Sequence, residues 1–334
     1  MPEWPTSMLN RKGKISFFLG LLVFFSVSLP TFAQGEQSAQ VLLDRMSHSF
    51  RELSYRGVFS YRQGEHMESF RIAHTVFNGE EYERLEYLDG EPREIIRRGH
   101  SLSCMHPGHQ LVRLYQQQDS LKHDAQPGTA AVSSYYQFAI TGDSRVAGRD
   151  AVEITVTPMD DHRFGYSLAL DRDTGLLLRS SLIGASGEVL ERFQFVEISI
   201  GMEIPMAYFQ PGENSYHAGH SKPLEASADK PELSSQGRWD VNWLPGGFTA
   251  TTSGEQIDGN DMQTYTDGLT VFSVFLEGVS DITESADGRA QKGATSAYSR
   301  SLLLDNHPYR VTVVGEIPHT TAKKVAKSVT LVDL

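Results

Sequence analysis

The chain has 334 residues, 39% hydrophobic and 22% charged, with a formal net charge of −12 at pH 7. That acidic balance speaks against nucleic acid as a partner, and a lone cysteine, Cys104, excludes an intramolecular disulfide framework. The length is enough for two hydrophobic cores that hold without covalent staples.

Residues 1–33 read as an export signal. Arg11, Lys12 and Lys14 form a positive region, Ile15–Leu29 is an apolar run, and Thr31-Phe32-Ala33 offers small residues for cleavage near Ala33. The run is short for a retained membrane anchor, and no cysteine follows it to accept a lipid. Gln40–Leu53 then spaces Leu42, Leu43, Met46, Phe50 and Leu53 by three and four, which predicts an amphipathic helix.

The period changes to two at Tyr55. Phe59 and Tyr61 continue its face, Phe70, Ile72 and Val76 follow beyond Gln63-Gly64-Glu65, and Asn78-Gly79 and Asp89–Pro92 supply turns on either side of Tyr82–Leu88. Shorter strands are expected at Ile95–Arg98, Ser101–Met105 and Gln110–Leu114. After the polar interval Gln116–Thr129, Val132–Ile140 suggests a short helix or packed loop, and Ser144–Val156 two brief strands.

His162–Phe195 is the clearest unit. Tyr166, Leu168 and Leu170 alternate with Ser167, Ala169 and Asp171, and the acidic turn Asp171–Gly175 reverses the chain, its glycine free to take a positive φ. Leu176–Leu182 runs back, Gly184–Gly187 turns again, and Val189–Val196 returns with Phe193 and Phe195 on one face. This predicts a three-stranded meander with one side on a core.

From Gly212 to Gln236 the composition shifts to Gly, Ser, Asn, His, Pro and Glu, as in a linker. Beyond it Trp239, Val241 and Trp243 alternate, Leu269–Leu276 and Tyr309–Val314 read as strands, and Pro318–Val329 as a short helix. The expected division is a signal at 1–33, a large domain at 34–211, a linker at 212–236 and a small domain at 237–334. The fold class is α+β, a curved and largely antiparallel sheet followed by a smaller α+β domain.

Chemistry is sparse. Cys104, His106 and His109 have spacing that zinc accepts, but a hairpin tip around Pro107-Gly108 explains them equally, and no fourth ligand stands out. Asp171–Gly175 departs from a calcium loop at the glycine and lacks the twelfth-position Glu. No G-x-S-x-G elbow and no phosphate loop occurs. No catalytic residue, metal or cofactor is therefore assigned. What stands out is aromatic: Tyr55, Phe59, Tyr61, Phe70, Ile72, Tyr82 and Tyr87 form either an ordinary core or the lining of an apolar cleft.

Several motifs, in order, resemble the RseB/MucB regulators of the envelope-stress sigma factor. They are Ser54–Tyr61, Phe164–Arg179 with Gly187–Glu191, Gly268-Leu269 with Ser273–Phe275, Gly293–Thr295, Val311–Pro318 and Thr321–Ala326. The resemblance implies a periplasmic protein whose large domain is a half-open barrel similar to the lipoprotein carriers LolA and LolB. It implies binding to the periplasmic part of a membrane-spanning anti-sigma factor of the RseA/MucA type, which is thereby shielded from proteolysis. It also implies relief by lipopolysaccharide or lipoprotein acyl groups, and no enzymatic activity. Phe59, Tyr61, Phe70, Ile72 and Tyr82 become candidate cleft residues, and Trp239, Trp243 and Phe272 candidate contacts to the anti-sigma factor. Arg56, Arg62, Arg71 and Lys323 are basic groups that either meet lipid phosphates or are solvated surface. Self-association stays open, and a lipoprotein or lipid carrier is the alternative reading.

Overall fold

The computed structural model describes residues 32–99, 132–211, 215–216, 239–250, 255–257, 260–279, 287–304 and 307–331. Cys104, His106 and His109, the expected strands at Ser101–Met105 and Gln110–Leu114, and nearly all of the signal and linker segments lie outside these residues. Among the described residues no helix is long and apolar enough to cross a membrane, and no cluster of three or more His, Cys, Asp or Glu side chains is arranged to hold a metal.

Helix α1 (Phe32–Glu52) begins upstream of the expected Gln40 and includes Ala33. The large domain follows as β1 (Tyr55–Gln63), β2 (His66–Phe77), β3 (Glu80–Tyr87), β4 (Glu94–Arg98), β5 (Tyr136–Val146), β6 (Arg149–Pro158), β7 (Gly165–Asp171), β8 (Leu177–Ile183) and β9 (Val189–Ile200), with β10 at Ser215–Tyr216. They form one sheet in the order β10-β4-β3-β2-β1-β9-β8-β7-β6-β5. All its pairs are antiparallel except β10 beside β4, and β5 and β10 are its two edges, so the layer stays half open.

Two expectations change here. Of Val132–Ile140 only the first residues make a helical turn, with the Tyr135 amide donating to the Val132 carbonyl. From Tyr136 the segment is strand, Tyr136 and Phe138 alternating inward from the start of β5, whose pairing with β6 runs from Tyr136 opposite Pro158 to Val146 opposite Arg149. The two brief strands expected at Ser144–Val156 therefore belong to one long hairpin. The meander appears as read, with Tyr166 opposite Leu182 and Ser180 opposite Phe193.

Register puts one continuous apolar face on the concave side. Phe59 lies between Phe70 and Phe195, Ile72 opposite Leu85, and Ile154 opposite Leu168. Helix α1 covers it. Ala39, Leu43 and Met46 join the cluster over β5–β8, and Phe50 packs against both that cluster and the aromatic one over β1–β3 and β9.

The small domain is a second sheet, β12 (Thr249–Ala250), β14 (Asn260–Thr266), β15 (Val271–Gly278), β18 (His307–Gly315), β17 (Thr295–Leu304) and β16 (Gly288–Lys292) in that order, with β13 (Glu255–Ile257) also on β14. Helix α2 (His319–Lys327) presses Ala322, Val325 and Ala326 onto it, and β11 (Trp239–Val241) pairs with β19 (Val329–Leu331).

Candidate functional site

The aromatic half of the concave face brings together three of the five expected cleft residues. Phe59 stacks on Phe70 at 5.0 Å between ring centres and meets Phe193 at 4.8 Å, with Ile72 in the same cluster. Phe59 and Ile72 keep 2% and 1% of their surface, so these side chains fill the face rather than line an open cleft. Tyr61, at the rim, donates its hydroxyl to Glu191 Oε2 at 2.6 Å, and burial followed by that carboxylate pushes the phenol up. Tyr82 does not join them. It stands opposite Thr75 on the convex face, packs against Phe209 and donates to Glu80.

Of the expected partner contacts, Phe272 is a core residue of the small domain, 1% exposed and stacked on Tyr265 at 5.3 Å, because β15 is covered on that side. Trp239 and Trp243 are half-buried against the same core. Trp243 carries Lys324 Nζ 3.7 Å above its ring and meets the His162 ring of the large domain edge-on at 5.1 Å.

The most elaborate chemistry lies where the small domain meets the large sheet; the sequence singled out Gly268-Leu269 and Gly293–Thr295 only as motifs of the resemblance, and Arg163 and Asp267 not at all. The turn after β14, Asp267-Gly268-Leu269, enters the large domain. Leu269 is 1% exposed and belongs to the apolar cluster of Tyr136, Phe138, Val156, Phe164, Tyr166 and Leu182. Asp267 fixes the turn by accepting from the amides of Leu269 and Thr270 at 2.9 and 2.7 Å, and the hydroxyl of Tyr136 donates to it at 3.0 Å. Ala294, in the turn between β16 and β17, enters the same cluster and donates its amide to Glu191 Oε1 at 2.9 Å.

Arg163, between β6 and β7, closes the arrangement. Its side chain is fully buried, with Nη1 3.0 Å from Asp267 Oδ2 and Nε 3.2 Å from Asp160 Oδ1. Neither nitrogen is aligned for a hydrogen bond, so these ties are Coulombic rather than directional. Nη2 donates to the carbonyl of Gly246, and the guanidinium lies 4.9 Å from the Tyr135 ring centre and 5.0 Å from that of Phe248. Burial pushes the Asp267 carboxyl up, against the opposing pull of the turn amides and Arg163. Gly247 makes the contact sterically feasible: at φ +85°, a Cβ there would stand 2.3 Å from the Tyr135 ring. The sequence signals were an Asp-Gly turn ahead of Leu269, which reads as the start of a strand, and an Arg beside Phe164; spacing alone gave no reason to join residues a hundred positions apart.

These two modules coincide with known domains. Residues 38–212 match the MucB/RseB N-terminal domain and residues 234–330 the MucB/RseB C-terminal domain. The chain is 37% identical to the sigma factor AlgU regulatory protein MucB of Pseudomonas aeruginosa, over 86% of this chain and 89% of that one. It is 31% identical to the sigma-E factor regulatory protein RseB of Haemophilus influenzae, over 91% and 95%. Its fold superposes on P. aeruginosa MucB in the MucA/MucB complex with a TM-score of 0.71 at 33% identity, covering 89% of this chain and 100% of that one. Similarity of that extent through both modules makes the chain a member of the MucB/RseB family of sigma-factor regulatory proteins.

Proposed function

We propose that the protein acts in the periplasm, after removal of residues 1–33, as a non-catalytic regulator without a cofactor. It binds the periplasmic part of a membrane-spanning anti-sigma factor and shields it from the protease that starts its degradation. Acyl groups of mislocalised lipoprotein or of lipopolysaccharide relieve the shielding by acting on the concave face of the large domain. The observation that carries this reading is the superposition, through both domains, on a MucB seen in complex with MucA.

In this reading the chain divides into a sensor at 34–211, a linker at 212–236 and a partner-binding domain at 237–334. Trp239 and Trp243 are the proposed aromatic anchors, since both are only partly buried. A free lipid carrier is the weaker reading, because the small domain occupies part of the face that cargo would need.

The test is protease protection. The chain lacking residues 1–33 is mixed with the periplasmic segment of the anti-sigma factor of its own organism and exposed to the initiating protease. Cleavage is expected to slow, and Trp243→Ala to weaken binding by about one to two decades. Equal cleavage rates with and without the chain overturn the reading.

A further inference from the structure

The turn that enters the large domain has the chemistry of a small amphiphile. Asp267 offers a carboxylate and Leu269 an aliphatic tip, and the large domain receives them separately, the carboxylate on buried Arg163 and the tip among Tyr136, Phe138, Val156, Phe164, Tyr166 and Leu182. We propose that this seat is a binding site for a single acyl chain carrying an anionic head, and that Asp267-Gly268-Leu269 is its built-in substitute. The tail takes the place of Leu269 and the head that of Asp267. The proposal deepens the functional reading above and rests only on its acyl-responsive part.

Three features favour that occupant. A cavity of about 300 Å³ adjoins the seat, sharing Val156, Tyr166 and Arg163 as walls, and it is the size of a small ligand pocket. Arg163 has two buried nitrogens with no aligned acceptor, donors that a head group free to choose its position can satisfy. The charge also balances: Asp160 stays with Arg163 when Asp267 leaves, so an anionic head restores the charge present with the turn in place. A neutral head leaves Arg163 with Asp160 alone, and removing one partner from a buried ion pair is strongly unfavourable.

The consequence is competition. The seat holds either the turn or the ligand, so acyl binding releases the small domain from the large one, and anything that holds the small domain docked opposes acyl binding.

The probe is a 16-carbon fatty acid with a fluorophore at its tail end, compared with its methyl ester and with a monoacyl phosphate of the same length. Leu269→Ala is expected to bind the acid about tenfold more tightly than the wild type, because a larger fraction of molecules has the seat open. Asp267→Asn is expected to do the same without leaving a cavity in either core. Arg163→Gln is expected to remove the preference for acid over ester, and the phosphate arm tells which head the seat favours, either one supporting it. If Leu269→Ala and Asp267→Asn both unfold cooperatively and bind the acid no more tightly than the wild type, the seat is wrong. If they do so while the wild type still protects its partner from proteolysis, only the seat falls and the regulator reading stands. Tighter acyl binding without any protection by the wild type would have the opposite meaning.

Discussion

The two halves of the concave face are both apolar and are filled by different kinds of material. Over β1–β3 and β9 the sheet fills itself, with Phe59, Phe70, Phe193 and Phe195 packed ring against ring. Over β5–β8 the filling comes from elsewhere, from α1 through Leu43 and Met46 and from the small domain through Leu269 and Ala294. A side chain that belongs to the strand beneath it leaves only when the sheet unfolds. A turn on another domain can leave as a body, so only the second half can exchange its filling for a ligand or report on another domain.

Truncation is the strongest way to break the comparison. Phe59→Ala removes a ring in contact with three others and is expected to cost about 3–5 kcal/mol, read as a lower midpoint of a single cooperative denaturant transition. If the first half instead holds an exchangeable filling, the loss is far smaller and acyl probe binding changes with it. Gly247→Ala attacks the second half, because its new Cβ collides with Tyr135 in a backbone conformation that disfavours it. About 3 kcal/mol of docking is expected to disappear. The signature is separation of one thermal transition into two with the large sheet's own stability unchanged.

Much of the first half was legible in the sequence and little of the second. A two-residue turn at Asn78-Gly79 sets Phe77 opposite Glu80, and from that register Ile72 must meet Leu85 and Tyr82 must meet Thr75. Tyr82 therefore belongs on the outer face, and choosing it as a cleft residue followed its aromatic character where parity gave the answer. Local alternation also yields the meander, since its turns are short and fix their own register. The seat of Leu269 has no such local grammar. Arg163 and Asp267 are two charges in separate turns, and each reads as solvated until the folded chain buries both. The reading of Val132–Ile140 failed from Tyr136 onward for a related reason: its aromatic run fits a helix turn or a strand, and the pairing with β6 that decides between them lies outside the run itself.

Acid sharpens the comparison next, through the turn that seats α1. Asp171 accepts from Arg149 and from the amide and hydroxyl of Thr174, while Arg45 and Ser49 of the helix donate to carbonyls of the same turn. Burial alone would raise the Asp171 carboxyl, but the bonds from Arg149 and Thr174 outweigh it and hold it below its ordinary 3.8. A depressed carboxyl stabilises the fold above the unfolded value and loses that contribution as pH falls through the folded one. The loss therefore begins below about pH 3.8. Asp171→Asn is expected to cost about 2 kcal/mol at neutral pH and to flatten the acid limb of a stability-against-pH curve. An unchanged acid limb would show that the turn holds the helix by backbone geometry alone.

The smallest effect concerns the outer seam of the docked domains. Lys324 lies over Trp243, and Trp243 meets His162, whose Nδ1 is 3.2 Å from Thr321 Oγ1, so an aromatic face links α2 to the loop that carries Arg163. Lys324 is exposed, which limits its attraction to the ring to about 0.5–1 kcal/mol. Both groups belong to the small domain, so Lys324→Gln is expected to lower that domain's own transition by at most that amount, to lower docking only as far as the Trp243–His162 contact depends on it, and to leave the aromatic half of the large sheet untouched. Because Trp243 is also a proposed anchor for the partner, the same variant separates two uses of one ring. If the ring serves docking, partner affinity follows the docking transition in proportion. If it serves the partner directly, affinity changes while docking stays fixed, and the seam is then a shared surface for which the partner and the large domain compete.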